Sequence, residues 1–268
     1  MAKLKNIIKS YKNSKKSSFT LYAILRLLII ICMIIQIFRG ELENAFLCFF
    51  SLILFLLPII IQDKFKIELP NVLEIVIFLF IFASTILGEI YNFYGNVPHW
   101  DTTLHTINGF ICAGIGFALV DLLNKNSSKI SLSPFYISFA AFCFSMTVGV
   151  CWEFVEYGVD SFFNKNMQKD TIVTTIVSPY INQNSDKTII INDINKTILY
   201  DSKGNELTII NGGYLDIGLH DTTKDLIVNF IGAVIFSVLG YFYINNRDKY
   251  KFTKNFIPIS KKKTYNLF

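Results

Sequence analysis

The sequence predicts an all-α polytopic membrane protein of about six transmembrane helices, with a small extracytoplasmic β-rich loop between helices five and six. Hydrophobic residues make up 52% of the 268 residues and charged residues 17%, whereas ordinary globular domains contain roughly 25% charged residues. Several nearly uncharged stretches reach the length of about 18 residues that crosses a bilayer. Together these observations argue against a water-soluble domain.

The spans divide the chain into a basic N-terminus (1–18), a six-helix membrane domain (19–244) and a basic tail (245–268). The first span lacks a cleavage site of the A-x-A kind and is predicted to be retained, not removed as a signal peptide. The predicted spans are residues 19–38, 44–62, 70–92, 101–123, 132–160 and 222–244.

Charge predicts the orientation of these spans. Most of the 25 lysines and arginines lie in the two termini and in the loops around Lys64 and Lys125, and short loops rich in these residues stay cytoplasmic. Both termini are therefore expected in the cytoplasm. Orientation also explains the net charge of +5, so membrane lipids are expected partners and nucleic acid is not. The five cysteines lie in apolar segments without a CxxC pair, which predicts free thiols.

The segment from about 163 to 221 is polar and contains period-two runs at Thr188–Asn192 and Thr197–Tyr200. These runs predict short strands, and the residues from Asp201 to Asn205 between β-prone runs predict a hairpin turn. A solvated loop without regular structure is the alternative. An extracytoplasmic partner could bind this segment.

Nearly all ionisable residues inside the predicted spans fall near the outer ends of the spans. Residues three or four apart share a helix face, so they form stripes that continue into glycines, and small residues favour close helix contacts. The stripes are Asp101, His105 and Gly109 on the fourth span, Gly149, Glu153, Glu156 and Asp160 on the fifth, and Asp221, Asp225, Asn229 and Gly232 on the sixth.

Carboxylates inside a membrane are costly and are normally paired, protonated or functional. One hypothesis is a divalent metal ion as cofactor, because carboxylates and imidazoles on facing helices build metal sites in bundles. Its predicted ligands are Asp101, His105, Glu153 and Asp225. The alternatives are a proton or ion path, or carboxylates at the headgroup boundary that only hydrogen-bond neighbouring helices; Asp221 could equally be the N-cap of the sixth helix.

Three functions remain open. The leading one is a metal-dependent enzyme, such as a hydrolase of a lipid or lipid-linked substrate, with Glu153 and Glu156 as catalytic residues. In it, a carboxylate that is not a metal ligand would act as general base on a metal-bound water. The second is a cation- or proton-coupled transporter. The expected lack of polar residues in the cytoplasmic half of the spans argues against it, because a transport path needs polar groups there. The third is a non-enzymatic membrane scaffold or sensor.

Three motifs carry a resemblance to a known family. They are Trp100-Asp101-Thr102-Thr103-Leu104-His105 with Gly109, Trp152-Glu153-Phe154-Val155-Glu156-Tyr157 with Gln168, and Asp221-Thr222-Thr223-Lys224-Asp225 with Asn229, Gly232 and Ala233. On these motifs the chain resembles the YjdF-like family of bacterial inner-membrane proteins, whose molecular function is unassigned. The resemblance implies a multi-pass protein of the bacterial cytoplasmic (inner) membrane.

Overall fold

The structure is a computed structural model that describes residues 16–64, 66–127, 131–182 and 186–260, apart from the side chains of Lys16 and Asn126. Most of the predicted basic N-terminus and the end of the predicted basic tail, residues 1–15 and 261–268, lie outside the described residues.

Within the described residues, six helical segments are long and apolar enough to cross a membrane. They agree with the six predicted spans to within a few residues and confirm the predicted fold class. The segments are Ser17–Arg39, Leu42–Lys64, Asn71–Ile90, Trp100–Lys125, Pro134–Phe163 and Leu219–Asn245.

Four of the six spans consist of a single helix each. The first is α1 (Lys16–Arg39), the fourth is α6 (Trp100–Asn126), the fifth is α7 (Pro134–Phe163) and the sixth is α8 (Leu219–Asn245). Each of these four helices contains a long apolar run. A segment that crosses lipid must satisfy every backbone donor and acceptor internally, and a continuous helix does so.

The second span is interrupted near a proline. It consists of α2 (Leu42–Leu54) and α3 (Leu57–Lys64). Pro58 lies in the first turn of α3, where its missing backbone N–H and its ring interrupt the ladder that a continuous helix would form with the preceding turn. The apolar run alone did not reveal this break.

The third span changes its helical form halfway. It begins as α4 (Asn71–Phe82) and continues as a π-helix (Ala83–Ile90). The short helix α5 (Phe93–Asn96) follows, and a Cβ added to Gly88 would overlap the ring of Tyr94. The glycine therefore allows the connection to fold back tightly on the end of the span.

The described residues form two compact units, one up to residue 149 and from residue 227 onward, the other from residue 150 to residue 226. The first unit contains two main apolar clusters. In one, Tyr22, Phe55 and Phe78 pack ring against ring, and the other is built around Phe117 and Phe236.

The second unit contains six short strands in antiparallel pairs. The strands are β2 (Thr171–Val173), β3 (Ile176–Ser178), β4 (Ile189–Ile191), β5 (Lys196–Tyr200), β6 (Glu206–Asn211) and β7 (Tyr214–Asp216). β2 pairs with β7 and β3 with β4. The predicted hairpin is confirmed, because β5 pairs with β6 and the turn between them spans residues 201–205.

The chain after α8 folds back along the first unit. A 3₁₀ helix (Lys251–Phe256) is followed by β8 (Ile259–Ser260), which pairs with β1 (Ile67–Glu68) in the loop after α3. Ile257 between them is 4% exposed. This part of the predicted tail is therefore an integral layer of the fold.

Candidate functional site

The two polar residues at the start of α6 lie on one face and contact each other. Nε2 of His105 lies 3.5 Å from Oδ1 of Asp101. The four-residue spacing places the side chains one above the other on a helix, and His105 is buried. The carboxylate thus lies beside the imidazole at the start of this span.

Helices α6 and α8 approach each other closely one turn further along. A Cβ on Gly109 would overlap the backbone carbonyl oxygen of Asn229, and a Cβ on Gly232 would overlap that of Thr106. Glycines that allow two backbones to meet in this way are the common device of helix packing in membranes. The glycines predicted to face the bundle interior do so here.

Asn229 is the centre of a buried polar layer at this crossing. Its amide oxygen accepts a hydrogen bond from Asn108 at 3.3 Å, and a Cβ on Gly149 of α7 would lie 2.7 Å from its amide nitrogen. Ser145 on α7 donates to the carbonyl oxygen of Gly109 at 2.8 Å. Asn108 and Ser145 were not predicted from the sequence, because a single amide or hydroxyl in an apolar run has no partner at helical spacing.

A group that could hold a metal ion consists of Asp101, His105 and Asp225, each of which offers one ligand atom within 4.8 Å of the others. Two carboxylates and an imidazole suit several divalent first-row metals. Asp225 lies one turn before Asn229 on the uninterrupted helix α8, and His105 lies one turn before Gly109 on α6. Three of the four predicted ligands therefore belong to this group, and Glu153 does not.

The acidic stripe of α7 has three different environments. Glu153 is buried, and Glu156 accepts a hydrogen bond from the indole nitrogen of Trp152 at 2.6 Å. Asp160 accepts hydrogen bonds from the backbone N–H groups of Met167 and Gln168 at 2.6 and 2.8 Å. The carboxylate of Asp160 thus fixes the chain where it leaves the helix.

The start of α8 shows that Asp221 does not have the N-cap role considered for it. The helix begins at Leu219, so Asp221 lies inside the first turn and is not the N-cap. Its carboxylate instead accepts the backbone N–H of Lys169 at 2.8 Å. Nζ of Lys224 lies 4.0 Å from Asp221 and 3.9 Å from Asp225, so one cation offsets part of the negative charge of these two acids.

The two other histidines lie in different surroundings. His99 has a left-handed backbone conformation just before α6, with φ of 61°. His220 is largely exposed, and its Nδ1 lies 3.4 Å from the carboxylate of Asp216. Neither belongs to the group formed by Asp101, His105 and Asp225.

Buried polar residues also occur at the opposite ends of the spans, which the sequence analysis missed. Nε2 of Gln62 donates to Glu74 at 2.8 Å, and the Gln62 oxygen accepts the backbone N–H of Leu69 at 3.0 Å. Buried Asp121 pairs with Lys125 and with Arg247. The expected lack of polar residues in the cytoplasmic half of the spans is therefore wrong.

All five cysteines are free, as predicted.

No curated protein and no solved structure matches the chain. A family described as "Predicted membrane protein (DUF2238)" matches residues 20–246, which include nearly all of the first span, the other five spans and every residue of the candidate site. This extent agrees with the resemblance carried by the three motifs. The chain belongs to this family of predicted membrane proteins.

Proposed function

We propose that the protein is a membrane-embedded metalloprotein that binds one divalent cation through Asp101, His105 and Asp225. The observation that carries the proposal is the proximity of their ligand atoms, all within 4.8 Å of one another. Three protein ligands leave coordination positions for water or substrate, as in catalytic metal sites.

The packing one turn deeper supports the proposal. Gly109 on α6 and Gly149 on α7 both meet Asn229 on α8. One turn outward from these three residues lie His105, Glu153 and Asp225, because helical residues four apart share a face. A crossing made rigid by backbone contact is the support that a metal site needs.

The chemistry that fits such a site is hydrolysis of a lipid or lipid-linked substrate that enters from the outer leaflet. A divalent cation would polarise the scissile group, and Glu153 and Glu156 are the candidate general bases because carboxylates accept protons in such reactions. Glu156 is oriented by its hydrogen bond from Trp152. Glu153 is buried on the same face of α7.

The direct test is metal content of the purified protein, measured by mass spectrometry for the wild type and for His105→Ala and Asp225→Asn. We expect near-stoichiometric metal in the wild type and loss in both variants. His220→Ala is the matched control, because His220 also lies beside an aspartate but outside the group. Equal metal content in all four proteins would refute the proposal.

We also propose that the protein lies in the bacterial cytoplasmic membrane with both termini inside, since most of its lysines and arginines lie in the termini and two loops. A cysteine at residue 203, in the β5–β6 turn, tests the orientation in a background without native cysteines. A membrane-impermeant maleimide should label Lys203→Cys in intact cells, whereas labelling only after lysis would reverse the orientation.

A second candidate is cation or proton transport, which the buried Gln62 and Glu74 favour because they supply polar groups at the other end of the spans. Proton uptake into liposomes containing the protein distinguishes this candidate. A transporter should carry protons or cations and lose flux in Glu74→Gln, whereas an enzyme should show no flux and retain its bound metal in that variant.

A further inference from the structure

A cavity of about 240 Å³ lies at the ends of the fourth and sixth spans. The candidate metal ligands lie near the starts of the same two helices, α6 and α8. Two transmembrane helices and the folded-back C-terminal segment form its walls. Its lining includes Leu122 and Lys125 of α6, Tyr243 of α8, and Lys254, Ile257 and Ser260 of the C-terminal segment.

The cavity is electropositive. Lys125 and Lys254 both line it. The nearby carboxylate of Asp121 is already paired with Lys125 and, at 3.3 Å, with Arg247. The described residues that line the cavity include these two lysines and no carboxylate, which leaves an excess of positive charge to attract an anion.

The depth of the cavity matches a lipid headgroup. The fourth span ends at Lys125 and the sixth at Asn245, so the lining residues Leu122 and Tyr243 lie in the last turn or so of their spans. Tyrosine is favoured at the membrane interface, and lysines near span ends extend toward the headgroups. The cavity thus lies at the ends of two apolar spans and combines an apolar lining with two lysines.

The third wall of the cavity is an ordered part of the fold. Ile257 is 4% exposed and Thr253 is 2% exposed, and β8 pairs with β1. The ring of Phe256 packs edge-on against Phe110 of α6, with centroids 5.2 Å apart. Lys254 is thus carried by a segment whose neighbours are anchored on both sides.

We propose that this cavity binds the phosphate group of an anionic phospholipid from the leaflet on the side of the C-terminus. Basic pockets between transmembrane helices are the known type of site for such headgroups. The phosphate would lie between Lys125 and Lys254, and the apolar lining would contact the start of the acyl chains. The inference is independent of the metal site and of the proposed function.

The test is binding of short-chain phosphatidylglycerol to the detergent-purified full-length protein, followed by its thermal stabilisation, with phosphatidylcholine and inorganic phosphate alongside. We expect phosphatidylglycerol alone to raise the melting temperature. A lysine near an anionic headgroup contributes about fivefold in affinity, so the double variant Lys125→Gln, Lys254→Gln should bind roughly 25-fold more weakly.

Lys203→Gln in the distant hairpin turn is the control and should bind as the wild type does. If the double variant does not fold, Ser260→Asp provides the second test, because it adds a negative charge to the cavity and should weaken phosphatidylglycerol binding. Equal stabilisation by inorganic phosphate would overturn the lipid assignment. Unchanged phosphatidylglycerol affinity in the variants would overturn the site.

Discussion

Gly109 on α6 faces the backbone carbonyl of Asn229 on α8 so closely that a Cβ at residue 109 would overlap that oxygen. The contact lies one helical turn from His105 and Asp225. Since backbone atoms cannot move aside as flexible side chains do, the spacing of these two helices depends on the absence of a side chain at this glycine.

Gly109→Ala should therefore lower the free energy of unfolding by about 1 to 3 kcal/mol, the usual cost of forcing an extra methyl group into a packed core. Under the proposed metal site, this variant should also bind less metal, because Gly109 lies one turn from His105 on α6. Gly158→Ala is the matched control: among the described residues, no atom beyond its chain neighbours and the nearby backbone of its own helix lies within 4 Å of its added Cβ, and alanine favours a helix by about 1 kcal/mol over glycine. Thermal melting in detergent measures both, and equal melting temperatures would contradict the packing argument.

Asn229 and Asn108 should be energetically coupled through their 3.3 Å hydrogen bond. Each alanine substitution alone removes one partner, and the remaining buried or half-buried amide then lacks this hydrogen bond. The double substitution removes both amides. A double-mutant cycle should give a coupling energy of about 1 kcal/mol. Strictly additive losses of stability would show that the two amides do not depend on each other.

Gln62→Leu should destabilise the protein by about 3 kcal/mol, because it removes a donor from buried Glu74 and the acceptor of the Leu69 N–H. The double variant Gln62→Leu, Glu74→Leu should be more stable than Gln62→Leu alone. It no longer buries the Glu74 carboxylate, which has lost the Gln62 donor in the single variant. Chemical or thermal unfolding measures both. A double variant less stable than Gln62→Leu would contradict the prediction.

The β5–β6 turn should weaken in acid. A hydrogen bond from the Asn205 side chain, followed by backbone N–H groups of the turn, lowers the pKa of the exposed Asp201 below its ordinary value of 3.8. A carboxyl group with a lowered pKa in the folded state stabilises the turn above its unfolded pKa and loses this effect as the pH falls through the folded pKa.

Hydrogen exchange of peptides from residues 196–211, corrected for intrinsic rates, measures this effect at neutral and strongly acidic pH. Protection should fall in acid for the wild type. In Asp201→Asn, the turn should lose this pH dependence, because an amide can accept the same backbone hydrogen bonds but does not titrate. The same acid-induced loss in both proteins would exclude Asp201 as its cause.

Local patterns in the sequence were sufficient for the spans and for the hairpin. The length of an apolar run decides whether it can cross a bilayer. Gly204 supplies the positive φ of the turn, and Asn205 donates hydrogen bonds to Asp201. Both are properties of residues close together in the chain. Helical spacing likewise predicted that Asp101 and His105 share a face, and they lie 3.5 Å apart.

The tertiary structure decided which acids group together and which have structural roles. Helical spacing states which face of its own helix a carboxylate occupies, but not which backbone or side chain lies opposite. Asp225 therefore joins Asp101 and His105, whereas Asp160 and Asp221 accept loop N–H groups. The break before Pro58, the π-helix in the third span and the Gln62 to Glu74 pair likewise depend on contacts between segments, which no single apolar run encodes.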